Sequence, residues 1–245
     1  MSYFISFTSP AVAPLTGRFT ARLMLAGTVA AFSVSAYALS FGDLSNQDAS
    51  AGLKAALDKG SVAAVAKLGV ENGFLNNDKV KIQLPSLLEQ ARPILRMTGK
   101  GQQLDELVVS MNRAAEAAVP MAKPLLVSAV KSMSVTDAKN ILTGGDTSVT
   151  DFFRQKTAAP LVVKFLPLVK GVTDKAGLSA QYNSVMGQAQ KFGVVREQEA
   201  TVEAYVTQRA LDGLYLMIAE EEKAIRQDPL GAGSKIIGKV FGLLK

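Results

Sequence analysis

A β-sheet needs at least two strands, and this chain offers a single candidate. Val80-Lys81-Ile82-Gln83-Leu84-Pro85 is the only run that alternates apolar and polar side chains with the period of a half-buried strand. A lone strand leaves backbone donors and acceptors unpaired along its edges. The segment is therefore expected as an extended piece lying against helices. The rest of the chain carries helical periodicity almost throughout, which predicts an all-α fold: one irregular bundle of about eight to ten helices, several bent at proline. With no Cys among the 245 residues, no disulfide framework supports it, and stability must come from packing.

The helical pattern is legible segment by segment. Residues 50–68 place Leu53, Leu57, Val62, Val65 and Ala66 at three-to-four spacing, and Gly69 stands where a stop is expected. Residues 71–78 form a turn-rich loop whose Phe74 and Leu75 are expected to tuck inward. A helix over 86–97 closes at Gly99 and Gly101, and one over 102–119 carries Leu104, Leu107, Val108, Met111, Ala115 and Ala118 on one face. Pro93, Pro120, Pro124 and Pro167 are the expected bend points. Ser134-Val135-Thr136-Asp137 is echoed by Ser148-Val149-Thr150-Asp151. In each copy the Ser and the Asp are spaced to cap a helix start. Helices through Phe152 and Phe153, over 161–176, over 179–192 and over 200–226 complete the main set. Because residues 210–219 are apolar on every side except Asp212, the last of these is expected to run through the middle of the domain.

The beginning of the chain reads differently. Arg18 and Arg22, with no acidic residue before them, lead into the apolar run 23–34, and Ala36-Tyr37-Ala38 follows. A positive region, a short apolar core and a small-residue site is the order of a secretory signal peptide, with cleavage expected between Ala38 and Leu39. The apolar stretch is about 16 residues long, short of the roughly 20 that a membrane-spanning helix requires. No Cys follows it, which excludes a lipid-modified lipoprotein. The expected organisation is a signal peptide over 1–38, a short linker over 39–49, a helical domain over 50–228 and a C-terminal amphipathic helix over 229–245. The mature protein is expected to be periplasmic or secreted.

Removing Arg18 and Arg22 with the leader leaves 25 basic residues against 21 acidic ones, a net charge of +4. That mild excess, 7% aromatic content and the lack of any basic cluster give nucleic-acid binding no support. The chain also has no His. Without imidazole or thiol, the Ser-His-Asp and Cys-His hydrolases, the usual zinc sites and the Glu-x-x-His di-iron bundle are all excluded. No cofactor and no metal site is expected, and the remaining toolkit disfavours an enzyme.

Four residues stand out as candidates for ligand binding. Met111-Asn112-Arg113-Ala114-Ala115-Glu116 is the densest polar cluster on an Ala-rich helix. Asn112 and Glu116 lie one turn apart on one face, where they either contact a ligand or pin a neighbouring helix. Half-buried polar groups usually satisfy one another, which favours the second reading. Asp212 falls in the most apolar part of the late helix, where a carboxylate needs a partner. Arg209 and Arg113 are the candidates, and a buried structural ion pair is the default reading. Glu220-Glu221-Glu222 spread over too wide an arc to converge on one ion and read as solvated helix surface.

Beyond Pro229, Gly231 and Gly233, the segment 234–245 is amphipathic and cationic. Ile236, Ile237, Val240, Phe241 and Leu244 form its apolar stripe and Lys235 and Lys239 flank it. Such a helix either docks on the domain or lies in a membrane interface, so Ile236, Ile237, Lys239, Val240, Phe241 and Leu244 are the membrane-facing candidates.

Several of these motifs recur together in one family. Gly73-Phe74-Leu75-Asn76-Asn77, the Val80-x-Ile82-x-Leu84-Pro85 run, Met111 to Glu116, Phe152-Phe153-Arg154-x-Lys156-Thr157 and Ala210-Leu211-Asp212-Gly213-Leu214 give a chain that resembles the exported bacterial family catalogued as domain of unknown function 4197. The resemblance covers nearly all of the mature chain and departs at Gln83, where the family pattern implies Pro. It implies a single helical unit and brings no activity, cofactor or catalytic residue.

The sequence thus points to an exported, non-enzymatic helical protein. It is expected to bind an apolar small molecule, a lipid or another amphiphile, or to dock on a membrane surface or envelope protein. The alternatives are an enzyme built on Glu116, Asp212 and Arg113, and a structural scaffold of the envelope.

Overall fold

The computed structural model describes residues 46–145, 147–175, 179–228 and 231. The expected leader with its Ala38 and Leu39 junction, and the C-terminal segment with Ile236, Ile237, Lys239, Val240, Phe241 and Leu244, lie outside the described residues. Eight α-helices follow one another: α1 Asn46–Leu68, α2 Ser86–Met97, α3 Gly101–Ala118, α4 Ala122–Lys131, α5 Val135–Thr143, α6 Ser148–Thr173, α7 Ser179–Lys191 and α8 Val202–Gln227. Single 3₁₀ turns at Val119–Met121 and Glu197–Glu199 precede α4 and α8. The described residues contain no strand, so the fold is all-α.

The last helix is the axis of the bundle. α8 packs most extensively on α6, α1 and α3, and it buries Val206, Ala210, Leu211, Leu214, Tyr215 and Ile218 almost completely. Removing the side chain of one such buried Leu costs roughly 2–5 kcal/mol, a large part of a typical domain's stability. One small residue allows a close approach. A Cβ on Gly213 would lie 2.9 Å from a ring carbon of Phe74 and 3.2 Å from Cβ of Val80, so only Gly at this position lets the 71–85 segment lie flat on α8. Gly60 of α1 also faces α8, but a Cβ there would meet Glu221 and Ile225 at 3.4 and 3.7 Å, ordinary contact distances.

Capping settles some boundaries and corrects one. Ser134 takes an extended conformation, its hydroxyl accepts from the Asp137 N–H at 3.0 Å, and the Asp137 carboxylate accepts from the Ser134 N–H at 3.0 Å. The expected capping box is thus present at α5. At the second copy it is not. α6 begins at Ser148 itself, behind Thr147 in a helical conformation, and the Ser148 hydroxyl donates back to the Gly145 carbonyl at 2.6 Å. Pro160 and Pro167 lie inside α6 without ending it, and Pro93 lies inside α2.

The strand-like run behaves as its isolation requires. Residues 81–85 take no regular secondary structure and pair with no strand, while Val80, Ile82, Leu84 and Phe74 are buried. Leu75 is only partly covered. The backbone partners that a sheet would supply come from side chains of α3 and α8.

Candidate functional site

The polar cluster on α3 is where those partners originate. Asn112 is fully buried. Its side-chain oxygen accepts from the Ile82 N–H at 2.8 Å and its amide nitrogen donates to the Ile82 carbonyl at 2.9 Å and to the Val108 carbonyl at 2.8 Å. The amide thus pairs with Ile82 as a neighbouring strand would, exchanging one donor and one acceptor. One turn on, Glu116 is 5% exposed, and one of its oxygens accepts from the N–H groups of Phe74 and Leu75 at 3.0 and 3.1 Å. The other oxygen accepts from Arg113 at 2.6 Å. Arg113 also donates to the Asn72 side chain at 2.9 Å and lies 3.3 Å from Glu71. Asn72 holds a left-handed backbone, with φ of 68°, a conformation Asn tolerates better than most residues. Asn112, Arg113 and Glu116 therefore form a clasp on the 71–85 segment rather than on a neighbouring helix: Asn112 and one Glu116 oxygen grip backbone, while the other Glu116 oxygen and Arg113 are engaged with side chains.

Asp212 sits elsewhere and differently from the expectation. Its side chain is 36% exposed, so it is not a buried carboxylate: Cβ of Asp212 leaves α8 on the side away from the core. Gln208 donates to it at 3.0 Å. Arg209 lies 3.8 Å from one of its oxygens and Arg154 of α6 lies 3.7 Å from the other. Arg209 was a foreseen partner, Arg113 takes no part, and Arg154 was missed because nothing in the sequence around it marks a cross-helix contact. Together with Arg196, Gln198, Glu199 and Tyr205 these side chains line an open polar cleft of about 400 Å³. The trio Glu116, Asp212 and Arg113 thus falls into two separate networks, and no shared reaction centre forms from it.

The cleft's electrostatics follow from its neighbours. Burial alone would raise the Glu199 carboxyl, but the Arg196 side-chain and backbone hydrogen bonds outweigh it and hold the group below its ordinary value. Burial raises the Tyr205 hydroxyl, with Arg209 pulling the other way. The acidic triplet separates as its angular spread requires: Glu220 pairs with Lys79, Glu221 with Lys67, and Glu222, expected at the surface, is buried. Among the described residues no three carboxylates gather as a metal site would require.

A third place is apolar. Leu88 and Leu95 of α2, Leu104 and Leu107 of α3, and Tyr182 and Val185 of α7 enclose a cleft of about 260 Å³, with Lys100 and Gln181 at its edge. Asn183 accepts from the Val202 N–H at 2.8 Å and the Tyr182 hydroxyl donates to the Glu199 carbonyl at 3.2 Å, so α7 is tied to the start of α8. Val185 remains 48% exposed, and Ile94 and Met97 of α2 and Phe192 just after α7 are largely in solvent. Burial drives the Tyr182 hydroxyl well above its ordinary value. No sequence pattern announced this cleft, since Leu104 and Leu107 read equally well as core.

Among the described residues no helix is long and apolar enough to cross a membrane. A family model described as "Protein of unknown function (DUF4197)" matches residues 43–242. No curated protein and no solved structure matches the chain.

Proposed function

Since the chain belongs to the DUF4197 family, whose description carries no activity, we propose from its geometry that it is an exported, non-catalytic binding protein that holds the acyl portion of an anionic amphiphile between α2, α3 and α7. The observation that carries this reading is the cleft itself: six apolar side chains around about 260 Å³. That is just below the ~300–1,000 Å³ of drug-sized pockets and suits one chain or ring. Burying such a chain gains about 0.8 kcal/mol per methylene. Lys100 at the edge supplies a positive charge where an anionic headgroup would emerge, and its stem can lie along the chain. The order of charge, apolar run and Ala-x-Ala site at the N-terminus supports export with cleavage before Leu39.

Mass spectrometry of the protein purified from its native envelope tests both parts. The intact mass is expected to begin at Leu39, and solvent extracts are expected to contain an acyl-bearing molecule that is absent from extracts of Val185→Glu. Val185 is half-exposed, so this substitution charges the cleft without unfolding the bundle. An uncleaved chain contradicts export. No acyl compound in the wild-type extract, or the same compound at the same level with Val185→Glu, contradicts the binding site.

A further inference from the structure

The polar cleft shares no lining residue with the apolar one, and its donors outnumber its acceptors. Three guanidinium groups, Arg154, Arg196 and Arg209, face two carboxylates, Asp212 and Glu199, which leaves the cleft one positive charge in excess. Arg196 is matched with Glu199 at 3.3 Å. Arg154 and Arg209 are not matched in the same way. Each is at 3.7 or 3.8 Å from a different oxygen of Asp212, beyond the 2.7–3.2 Å of an N–H···O hydrogen bond, and one of those oxygens already accepts from Gln208. Two forks of five N–H donors each thus flank a single partly engaged carboxylate.

Both forks rest on fixed platforms. The Arg154 guanidinium carbon lies 5.3 Å from the Tyr215 ring centre and that of Arg209 lies 5.2 Å from the Tyr205 ring centre. The rings themselves are anchored: the Tyr205 hydroxyl donates to the Gln83 carbonyl at 2.9 Å, and the Tyr215 hydroxyl is 2.9 Å from that of Thr157. A planar cation stacked on an immobile ring is ordered before a ligand arrives, which lowers the ordering cost of binding. Gln198 and Gln208 add amide donors and acceptors around the same space.

We propose that this cleft is a carboxylate-binding site, in which Arg154 and Arg209 together take the carboxylate of a small polar molecule whose amide or hydroxyl groups meet Gln198 and Gln208. A single negative charge balances the cleft's excess. A phosphate dianion would exceed it and would press against Asp212. The planar fork of arginine matches a carboxylate through paired hydrogen bonds. Asp212 acts in the empty cleft as the built-in competitor for the same two cations.

The test is calorimetric titration of the full-length mature chain with N-acetylglycine, a monocarboxylate carrying one amide, alongside inorganic phosphate. N-acetylglycine is expected to bind saturably at low salt and to weaken as salt rises. Arg154→Lys and Arg209→Lys keep the charge but lose the fork, and each is expected to weaken binding by about tenfold. Both side chains are about half-exposed, so the fold should persist, as circular dichroism would confirm. Asp212→Asn removes the competitor and is expected to tighten binding several-fold. No saturable heat, unchanged affinity in both lysine variants, weaker binding in Asp212→Asn, or phosphate binding more tightly than N-acetylglycine would each overturn the proposal.

Discussion

A single amide does the work of a missing strand. Asn112 meets both backbone groups of Ile82 from inside the core, where an unpaired donor or acceptor costs about 1–3 kcal/mol. Asn112→Ala leaves both groups without a partner and adds a small void, so a loss of about 3 kcal/mol or more is expected, read as a lower urea midpoint with an unchanged slope. A loss below about 1 kcal/mol would show that the segment is held by Ile82 and Phe74 packing instead. The sequence made Asn112, Arg113 and Glu116 conspicuous as a polar cluster on an apolar helix, and their one-turn spacing placed two of them on one face. What it could not show was the target of Asn112 and Glu116, because that target is backbone: Ile82, Phe74 and Leu75 offer N–H and C=O groups that no residue type announces. Asp212 shows the opposite failure. Its apolar neighbours along the chain suggested burial, yet the direction of its own side chain, set by the turn of α8, brings it to the polar cleft.

At the level of elements, identical tetrapeptides end in different structures. Ser134 follows a turn that leaves it extended, so its hydroxyl and the Asp137 carboxylate close a capping box on α5. Before Ser148, Gly144 and Gly145 allow a tighter approach: a Cβ on Gly144 would lie 2.0 Å from the Ser148 hydroxyl. The helix therefore starts one residue early, and Ser148 is spent on Gly145. Ser134→Ala is expected to cost about 1 kcal/mol and Ser148→Ala less than half of that, compared by urea unfolding. The difference carries a pH signature. The Ser134 N–H and hydroxyl hold the Asp137 carboxyl below its ordinary value. A carboxyl lowered on folding stabilises the native state above its unfolded value, near pH 4, and that contribution is lost as pH falls through the folded value. Ser134→Ala removes the hydroxyl's bond to the Asp137 carboxylate and keeps the N–H bond, so the gap between wild type and variant should narrow in acid, and a gap that is constant with pH would contradict the hydroxyl–carboxylate bond. The helix over α3 was readable from its apolar stripe, which is a property of sequence alone, whereas α5 and the start of α6 were readable only from their Ser-x-x-Asp pattern. Which of two equal caps forms depends on the turn before it.

Across the whole molecule, polar groups and apolar space are kept apart. The α3 clasp fixes the 71–85 segment against α8, α8 carries the arginine-lined cleft on its outer side, and α2, α3 and α7 enclose an apolar cleft. A helical bundle without Cys or His was foreseeable from composition and period. The apolar cleft was not, since a leucine lining a void and a leucine filling a core have the same spacing. The account stands on that cleft receiving an acyl chain. The most direct measurement is a methyl-labelled NMR titration of residues 39–245 with decanoate, following each Leu and Val methyl. The expected result is saturable movement confined to Leu88, Leu95, Leu104, Leu107 and Val185, with Leu53 and Leu57 of α1 unmoved. No movement at those five residues, or equal movement of the α1 leucines, would contradict it.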